Sequence, residues 1–411
     1  MKVVVFLGDG MADEPNAVYG GKTALDASRH PHMDALARRA GLFGLAKTVP
    51  DPLSAGSDVA NLSVLGYDPA RCYTGRSALE AASMGIDLKE DDVTYRCNLV
   101  TLSPAGRLVD ATMLDYSAGE ISTDEAHALI DYLQDLMGED MALVPGVSYR
   151  NCLVLAHGQT GARLTPPHDI TGKPVCEHLP AGQNGVLLLE QMEMAYAVLP
   201  EHPVNQARRA AKRNEANAIW FWGEGTRPNL PDFTETFGLR GAVISAVDLM
   251  KGIGKCAGMR VIEVPGATGN YHTNFRGKAE AAIEALANGC DYVYIHVEAA
   301  DECGHQNQPK EKVYSIEQID GQIIGPMMDY LENCGEDWAV LLMPDHPTPL
   351  AKGTHTKTPV PFVLCRKSDA KTRNVRYTEA DAADTGIYVP AAHNLLPFMI
   401  FQESIENILQ Q

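Results

Sequence analysis

The sequence predicts an α/β fold in which a parallel sheet forms the core and a smaller α+β domain is inserted into it. Two observations predict the core: apolar runs that end in Gly or Asp, and helical patterns that lie between these runs. A strand that is apolar on both faces is typical of a parallel sheet covered by helices. A third observation, a chain of 411 residues, indicates more than one domain.

The two ends of the chain carry the strands of the predicted sheet. The N-terminal run KVVVFLGDG predicts a strand that is buried on both faces. Runs of the same form are DYVYIHVEAAD (291–301), DWAVLLMPD (337–345) and VPFVLCR (360–366). Helical patterns occupy 277–289 and 315–335, and Gly289 and Gly335 stand where helix C-terminal caps are expected. Strand, helix and strand in succession predict one α/β sheet built from both ends.

The middle of the chain has a different pattern. From about residue 85 to about 240 the candidate strands are shorter and Pro/Gly breaks are frequent, and the segments ALVPGVSYRNCLVLAHG and ARLTPPHDITGKPV have the form of hairpins and loops. We therefore predict a larger domain formed by residues 1–80 and 240–411. The inserted domain is predicted at residues 81–239.

Composition excludes several classes of partner. The net charge of −19 argues against nucleic acid and anionic membranes, because both select basic surfaces. The nine cysteines contain no C-x-x-C pair, so they predict reduced thiols in a cytoplasmic protein rather than a disulfide framework or a zinc ribbon. No apolar run approaches the roughly 20 residues of a membrane span. The sequence does not predict the oligomeric state.

Six carboxylate or imidazole groups follow the predicted strands or precede the last one. They are Asp9, Asp301, His305, Asp345, His346 and His355. A single aspartate after a strand is usually a helix N-cap, and a single exposed histidine is usually just exposed. Six together at the ligand-binding edge of an α/β sheet predict a metal site. The mixed oxygen and nitrogen donors favour Mn²⁺ or Zn²⁺, with Mg²⁺ a further candidate, and the number of groups favours two ions.

A candidate nucleophile follows Gly56. Ser57 opens the helical pattern SDVANLSVLG, and backbone N–H groups at a helix N-terminus favour a bound anion. A serine at this position could attack a phosphate as a metal-bound alkoxide. The alternative is that Ser57 is only an N-cap, and both roles are compatible.

Eight motifs in fixed order carry a family resemblance. They are GDGMAD (8–13), AGSDVANLSVLGYDP (55–69), YTGRSALEAASMGI (73–86), YRCNLV (95–100), PGATGNYHTN (265–274), DECGH (301–305), PDH (344–346) and THTKTPVP (354–361). With them the chain resembles the archaeal type of cofactor-independent phosphoglycerate mutases, glycolytic isomerases of the two-metal alkaline phosphatase superfamily. The resemblance implies an alkaline-phosphatase-like core with an inserted substrate-binding or lid domain.

The resemblance also implies roles for individual residues. Ser57 would be the residue that is phosphorylated. One metal ion would be held by Asp9, Ser57, Asp345 and His346. The other would be held by Asp301, His305 and His355. Asn61 stands one turn after Ser57, where the longer form of the enzyme usually has a histidine.

The mutase reaction requires the enzyme to retain glycerate between two phosphate transfers. The substrate is then a small phosphorylated carboxylate, 3-phosphoglycerate, and arginines are expected to bind its carboxylate in bidentate fashion. A closed lid would exclude water. The candidate substrate-binding residues are Arg76, Arg96, Arg150, His168, Asp169, Arg227 and Lys278, with His168 or Asp169 as the proton shuttle.

Three other functions remain open at this stage. A homoserine phosphotransferase is one, because a bacterial subset of the family has been proposed to act as homoserine kinase; the chain has no P-loop motif for a conventional kinase. The second is a metal-dependent phosphatase or phosphodiesterase with the same serine site and a lid that admits water. The third is a non-catalytic metal-binding or scaffold protein.

Overall fold

The computed structural model describes residues 1–401 and 408–409. The chain divides into two compact units, the first formed by Met1–Tyr73 and Asn229–Gln411 and the second by Thr74–Pro228. The limits predicted from the sequence for the inserted domain are residues 81 and 239. Both structural limits fall earlier in the chain, because Arg76–Ser83 packs against the strands of the second unit and Phe233–Phe237 belongs to the first.

The described residues form strands and helices that are interspersed along the sequence. The strands are β1 (Lys2–Gly8), β2 (Leu42–Ala46), β3 (Val93–Leu102), β4 (Met113–Asp115), β5 (Met141–Val144), β6 (Arg150–Leu155), β7 (Ala162–Arg163), β8 (Ala181–Gly182), β9 (Ala218–Thr226), β10 (Gly241–Ile244), β11 (Arg260–Ile262), β12 (Tyr292–Val297), β13 (Trp338–Met343), β14 (Val360–Arg366) and β15 (Tyr388–Val389).

The α-helices are α1 (Ala24–Ala27), α2 (Pro31–Arg39), α3 (Ser57–Val64), α4 (Pro69–Cys72), α5 (Arg76–Ser83), α6 (Thr123–Gln134), α7 (Gly185–Val198), α8 (Pro203–Ala210), α9 (Phe233–Phe237), α10 (Asp248–Cys256), α11 (Phe275–Ala287), α12 (Ala299–His305), α13 (Pro309–Gln318), α14 (Gly325–Asn333), α15 (Glu379–Asp384) and α16 (Leu395–Phe401). Short 3₁₀ helices occupy Ala17–Tyr19, Leu108–Asp110, Pro167–Ile170, Leu199–Glu201 and Ala392–Asn394.

The first unit contains an eight-stranded sheet in the order β11-β10-β12-β1-β13-β14-β2-β15. β10, β11, β12, β1 and β13 are parallel, and every residue of β1, β12 and β13 is buried. Continuous apolar strands are what a sheet covered on both faces requires. The predicted α/β core is confirmed, and so are the predicted strands at the two ends of the chain.

The strand at 360–366 runs in a direction that the sequence pattern did not predict. β14 is antiparallel to both of its neighbours, β13 and β2, although its apolar run was grouped with the parallel strands. The reason lies in the connection from 344 to 359, which contains no helix. A parallel return needs a long crossover, usually a helix, so the chain turns back directly. The start of β14 therefore lies at the same sheet edge as the ends of β1, β12 and β13.

Helices α11, α13 and α14 cover the sheet with apolar side chains. Ala282 and Leu286 of α11 and Met327 and Leu331 of α14 are buried in one core with the strands. Gly289 and Gly335 have φ of 104° and 77°, which is the left-handed conformation that the predicted C-terminal caps require. The helical pattern predicted at 315–335 is interrupted by a π-helical segment, Ile319–Ile324. Pro326 lies two residues after this segment, and a proline inside a helix removes a donor and crowds the preceding turn.

The second unit is an α+β domain, as predicted. Its five-stranded antiparallel sheet has the order β4-β3-β6-β5, with β9 also paired to β3. β5 and β6 form the hairpin that the segment ALVPGVSYRNCLVLAHG predicted. Apolar side chains of α6, α7 and the sheet form a separate core, in which Trp220 is fully buried and donates to the carbonyl of Thr165 at 2.8 Å.

Two further predictions concern membranes and cysteines. Within the described residues, none of the helices combines the length and apolar character that a membrane crossing requires. Free thiols occur at Cys72, Cys97, Cys152, Cys176, Cys290, Cys303, Cys334 and Cys365.

Candidate active site

The carboxyl ends of β1, β12 and β13 carry the predicted metal ligands of the first unit. Asp9 follows β1 directly, Asp301 lies in the first turn of α12 just after β12, and Asp345 follows β13. Gly10 has φ of +60°, and a Cβ at this position would lie 2.5 Å from Cα of Asp301. The Gly-Asp-Gly turn thus brings the chain after β1 against α12, which only glycine permits at Gly10.

Asp9, Asp345 and His346 form a cluster that we call the buried group. All three side chains are at most 1% exposed. His346 Nε2 lies 3.6 Å from Oδ1 of Asp9 and 3.3 Å from Oδ2 of Asp345. Oδ1 of Asp345 accepts hydrogen bonds from the backbone N–H of Gly10 at 3.1 Å and of His346 at 2.8 Å. Oδ1 of Asp9 is buried without a hydrogen-bond partner in the described part of the chain.

Asp301, His305 and His355 form a second cluster, the outer group. Nε2 of His305 lies 3.2 Å from Asp301, and Nε2 of His355 lies 3.4 Å from it. The two Nε2 atoms are 2.9 Å apart, while Nδ1 of His305 donates to the carbonyl of Gly353 at 2.9 Å. This bond orients the ring so that Nε2 of His305 faces Asp301 and the rest of the cluster. The side chains of His305 and His355 are 34% and 17% exposed, so this group is open to solvent.

The two groups are contiguous. The rings of His346 and His355 stack with centroids 3.9 Å apart, and ligand atoms of Asp301, His346 and His355 all lie within 4.8 Å of one another. Burial and the negative charges of Asp345 and Asp301 raise the pKa of Asp9. Burial also opposes ionisation of Asp301, but hydrogen bonds from His305 and His355 outweigh it and hold the pKa of Asp301 well below its usual range.

These residues fit divalent metal ions. Three carboxylates and three imidazoles lie close together, and Oδ1 of Asp9 is a buried oxygen without a hydrogen-bond partner among the described residues. A buried polar atom without a partner is costly unless something binds it. The chain therefore carries groups of residues that could hold metal ions, as the sequence predicted.

Ser57 lies beside the buried group. It is the first residue of α3, and its Oγ is 3.1 Å from Nε2 of His346. Asn61, one turn later, donates from Nδ2 to the carbonyl of Ser57 at 2.8 Å and to Oδ2 of Asp345 at 2.9 Å. Oδ1 of Asn61 accepts from the hydroxyl of Tyr294 at 2.6 Å. Asn61 thus connects the candidate nucleophile to a candidate ligand.

Sequence reasoning missed four residues at this site. Nε2 of His296 lies 2.9 Å from Oδ2 of Asp9, and Thr348 donates from Oγ1 to Oδ1 of Asp301. Tyr294 contacts Asn61, and Glu298 offers a carboxylate oxygen within 4.8 Å of ligand atoms of Asp9 and Asp301. The available signal was alternation: positions 294, 296 and 298 are polar at period two in an apolar strand and its extension.

Lys278 is the predicted substrate residue that lies in the first unit. It belongs to α11 and is fully buried, and its Nζ donates to the carbonyl of His296 at 2.8 Å. Burial lowers the pKa of Lys278 to about 8, although the nearby Glu298 opposes this. The structure therefore brings Lys278 to the strand that carries His296.

Three of the predicted arginines cluster within the second unit. Nε of Arg76 lies 2.9 Å from one oxygen of Glu80, and Nε of Arg96 lies 2.8 Å from the other. The guanidinium of Arg96 also lies 3.9 Å above the ring of Trp222. We call Arg76, Arg96 and Arg150 the arginine cluster, because the charges of all three act on Glu80.

Charge compensation in the arginine cluster is partial. Burial opposes ionisation of Glu80, but the arginines outweigh it and hold the pKa of that carboxyl below its usual range. Burial lowers the pKa of Arg96 to about 10, with Glu80 opposing. Arg150 is exposed, with its guanidinium 4.3 Å from the ring centre of Tyr149. Three guanidinium groups share one carboxylate, which leaves a positive excess.

The remaining predicted residues of the second unit are exposed. His168 packs edge-on against Trp222, with ring centroids 5.2 Å apart. Although His168 is largely exposed, partial burial of its ring lowers the pKa of His168. Oδ1 of Asp169 lies 3.7 Å from Nε2 of His168. Arg227 follows β9 and is exposed. The roles of these residues stay predictions.

Comparison with known proteins finds similar sequences over nearly the whole chain. The family described as 2,3-bisphosphoglycerate-independent phosphoglycerate mutase matches residues 38–205. A protein of Geobacter sulfurreducens, named as a probable member of that family, is 51% identical over 97% of this chain and 100% of its own length. The mutase of the same name from Methanothrix thermoacetophila is 48% identical, again over 97% of this chain and 100% of its own length.

Solved structures show the same fold. A protein of Pyrococcus horikoshii superposes with a TM-score of 0.80 at 30% identity, covering 97% of this chain and 96% of its own. The cofactor-independent phosphoglycerate mutase from Thermoplasma acidophilum superposes with a TM-score of 0.66 at 23% identity, covering 98% and 99%. The fold of this chain is therefore shared with these proteins over nearly their whole length.

Proposed function

The chain belongs to the 2,3-bisphosphoglycerate-independent phosphoglycerate mutase family, as its motifs predicted, and we propose that it interconverts 3-phosphoglycerate and 2-phosphoglycerate through a phosphoserine at Ser57. One observation carries the proposal: Oγ of Ser57 lies 3.1 Å from Nε2 of His346, at the start of α3 and beside the buried group. A helix N-terminus favours the phosphate that this serine would carry.

Two divalent ions, Mn²⁺ or Zn²⁺ with Mg²⁺ as a further candidate, are part of the proposal. Asp9, Asp345 and His346 together with Ser57 would hold one ion. Asp301, His305 and His355 would hold the other. The chemistry that bound ions supply at such a site is activation of the serine hydroxyl and neutralisation of charge on the transferring phosphate.

The proposed reaction has two transfers. Oγ of Ser57 forms a bond to phosphorus as the bond from phosphorus to the 3-oxygen of glycerate breaks, and the serine proton leaves while the 3-oxygen gains a proton. In the second transfer the 2-hydroxyl of glycerate loses its proton and its oxygen forms a bond to phosphorus as the bond from phosphorus to Oγ of Ser57 breaks, and Oγ regains a proton. His168, whose pKa is lowered by burial, is a neutral base at pH 7 and stays the candidate proton shuttle together with Asp169.

We propose that the arginine cluster binds the carboxylate of the substrate. Guanidinium groups recognise carboxylates through paired N–H donors, and the excess of positive charge around Glu80 supports the binding of an anion. Arg227 and Lys278 remain candidates for the same substrate. The second unit would then act as a lid that retains glycerate and excludes water, since water at the phosphoserine would turn the enzyme into a phosphatase.

We also propose a cytoplasmic location and a small-molecule substrate without a nucleic-acid partner. The free cysteines support a reducing compartment, and the net charge of −19 opposes binding to polyanions.

A ³¹P NMR time course tests the function. The protein loaded with Mn²⁺ is mixed with 3-phosphoglycerate in the absence of 2,3-bisphosphoglycerate, and we expect the signal of 2-phosphoglycerate to appear without inorganic phosphate. Protein treated with a chelator is the control and is expected to be inactive. Release of inorganic phosphate alone would contradict the mutase and identify a phosphatase.

A further inference from the structure

The side chain of Asp9 is held by a buried series of hydrogen bonds that involves His296 on β12 and Ser245, the residue directly after β10. Nε2 of His296 lies 2.9 Å from Oδ2 of Asp9, and Nδ1 of His296 lies 3.0 Å from Oγ of Ser245. Ser245 in turn accepts from the backbone N–H of Val247 at 3.0 Å. His296 is 1% exposed and Ser245 is 2% exposed, so water does not compete for these bonds.

The hydrogen-bond partners determine which atoms of His296 and Ser245 carry hydrogens. A carboxylate oxygen only accepts, so Nε2 of His296 carries the hydrogen and donates it to Asp9. Nδ1 is then the acceptor, and the hydroxyl of Ser245 donates to it while its oxygen accepts from Val247. Both ring nitrogens of His296 and the hydroxyl of Ser245 are then satisfied with a neutral imidazole.

The sheet fixes the positions of these side chains. In the parallel register, Leu7 of β1 lies opposite His296 of β12, and Ile244 of β10 lies opposite Ile295. Ser245 and His296 are thus the next residues along two paired strands, while Asp9 follows the end of β1 on the other side. Lys278 also holds the backbone of His296 through its carbonyl at 2.8 Å.

These hydrogen bonds place the two carboxylate oxygens of Asp9 in different environments. Oδ2 is occupied by His296, whereas Oδ1 is buried, has no hydrogen-bond partner within the described residues and lies 3.6 Å from Nε2 of His346. A neutral donor orients the carboxylate and leaves its negative charge available for a cation. A cationic donor such as lysine would orient it equally well but would cancel that charge.

We propose that His296, oriented by Ser245, is a positioning residue that presents a single oxygen of Asp9, Oδ1, to the ion of the buried group. The inference rests on the metal site of the proposed function. It predicts that His296 determines metal affinity at the buried group and leaves the outer group unaffected, because Asp301 is held separately by Thr348.

Calorimetric titration of the metal-free protein with Mn²⁺ tests this inference without an activity measurement. In His296→Leu, which removes the donor at similar volume, we expect the buried-group affinity to fall by roughly 10- to 100-fold. His296→Gln, whose amide N–H can replace the Nε2–H donor, should recover most of the loss. Ser245→Ala should show a smaller loss in the same site, and it serves as the test should His296→Leu not fold.

A matched control separates positioning from packing. His30 is also buried in the first unit, where it bonds the carbonyl of Leu25 at 2.8 Å. His30→Leu should lower stability in urea but bind two Mn²⁺ ions like the parent. Parent-like affinity at both sites in His296→Leu and Ser245→Ala would overturn the inference. Loss of affinity in a protein whose parent forms no 2-phosphoglycerate would instead leave the inference intact and refute the proposed function.

Discussion

The candidate metal site of the first unit and the arginine cluster of the second unit are opposite in sign. The first gathers the carboxylates of Asp9, Asp301 and Asp345 among histidines. The second gathers three guanidinium groups around Glu80. The compensating groups differ: His305 and His355 favour the charged form of Asp301, whereas three guanidinium groups favour the charged form of Glu80.

The two regions differ in whether they need a bound ion. In the metal site, burial and then the negative charges of neighbouring carboxylates raise the pKa of Asp9, so ionisation of Asp9 is disfavoured without a cation. In the arginine cluster, the guanidinium groups lower the pKa of Glu80 although burial opposes this, so the charged form of Glu80 is favoured without a bound ion. We infer that the first site needs a cation to be complete, whereas the second can add an anion to a finished scaffold.

The largest effect is expected at Ser57. Ser57→Ala removes the nucleophile and should lower kcat for 3-phosphoglycerate by roughly 10⁴-fold or more, while the histidine and carboxylate ligands keep two Mn²⁺ ions with weaker binding at the buried group. Steady-state kinetics and metal analysis of the same preparation check both statements. Full turnover in this variant would refute the phosphoserine.

Removal of one ligand of the outer group should release the ion of that group and leave the ion of the buried group in place. His355→Ala should lose one of the two ions, because only Asp301 and His305 remain for it, and turnover should fall with that ion. Metal analysis after gel filtration measures the loss. His157→Ala, an exposed histidine of the second unit, is the control and should retain both ions. Two tightly held ions in His355→Ala would contradict the outer group as a ligand set.

A substitution in the arginine cluster should weaken substrate binding and leave metal binding unchanged. Arg150→Ala removes an exposed charge, and loss of a charged hydrogen bond of about 1.5–3 kcal/mol should raise KM for 3-phosphoglycerate by roughly 10- to 100-fold. Bound Mn²⁺ should not change. Arg163→Ala, at an exposed position of the same unit, is the matched control. Equal KM values for these two variants would remove Arg150 from the substrate site.

The smallest expected effect is on the pH dependence of stability. The folded pKa of Glu80 is lowered, so its stabilising contribution is present above the usual glutamate range and is lost as pH falls through the folded value. Glu80→Gln should therefore cost about 1–3 kcal/mol at pH 7 and less in acid. Urea unfolding of the full chain at pH 7 and pH 4 measures this, with the exposed Glu139→Gln as control. An equal loss at both pH values would show that the glutamate charge is not the cause.

The sequence was sufficient for features that depend on local pattern. Continuous apolar runs predict buried parallel strands, and the residues directly after them, such as Asp9 and Asp345, must meet at one sheet edge. The direction of β14 was not predictable from its own residues, because it depends on the connection before it.

Features that depend on distant partners were missed. His296 and Tyr294 lie inside a strand whose pattern indicates burial, and their significance depends on Asp9 and Asn61, which are far away in the chain. Glu80 was missed for the same reason: its two arginines lie on α5 and on β3, and only packing brings them to one carboxylate.

The reversed direction of β14 has a consequence for how the protein responds to chelators. The loop from 344 to 359 starts and ends at adjacent strands of the sheet, so Asp345, His346 and His355 are brought together when β13 and β14 pair. Closure of this loop is then achieved by hydrogen bonds of the sheet and does not depend on ions. Small zinc domains unfold when they lose metal. This chain should remain folded under chelation, with far-UV circular dichroism unchanged, and should regain its ions without refolding.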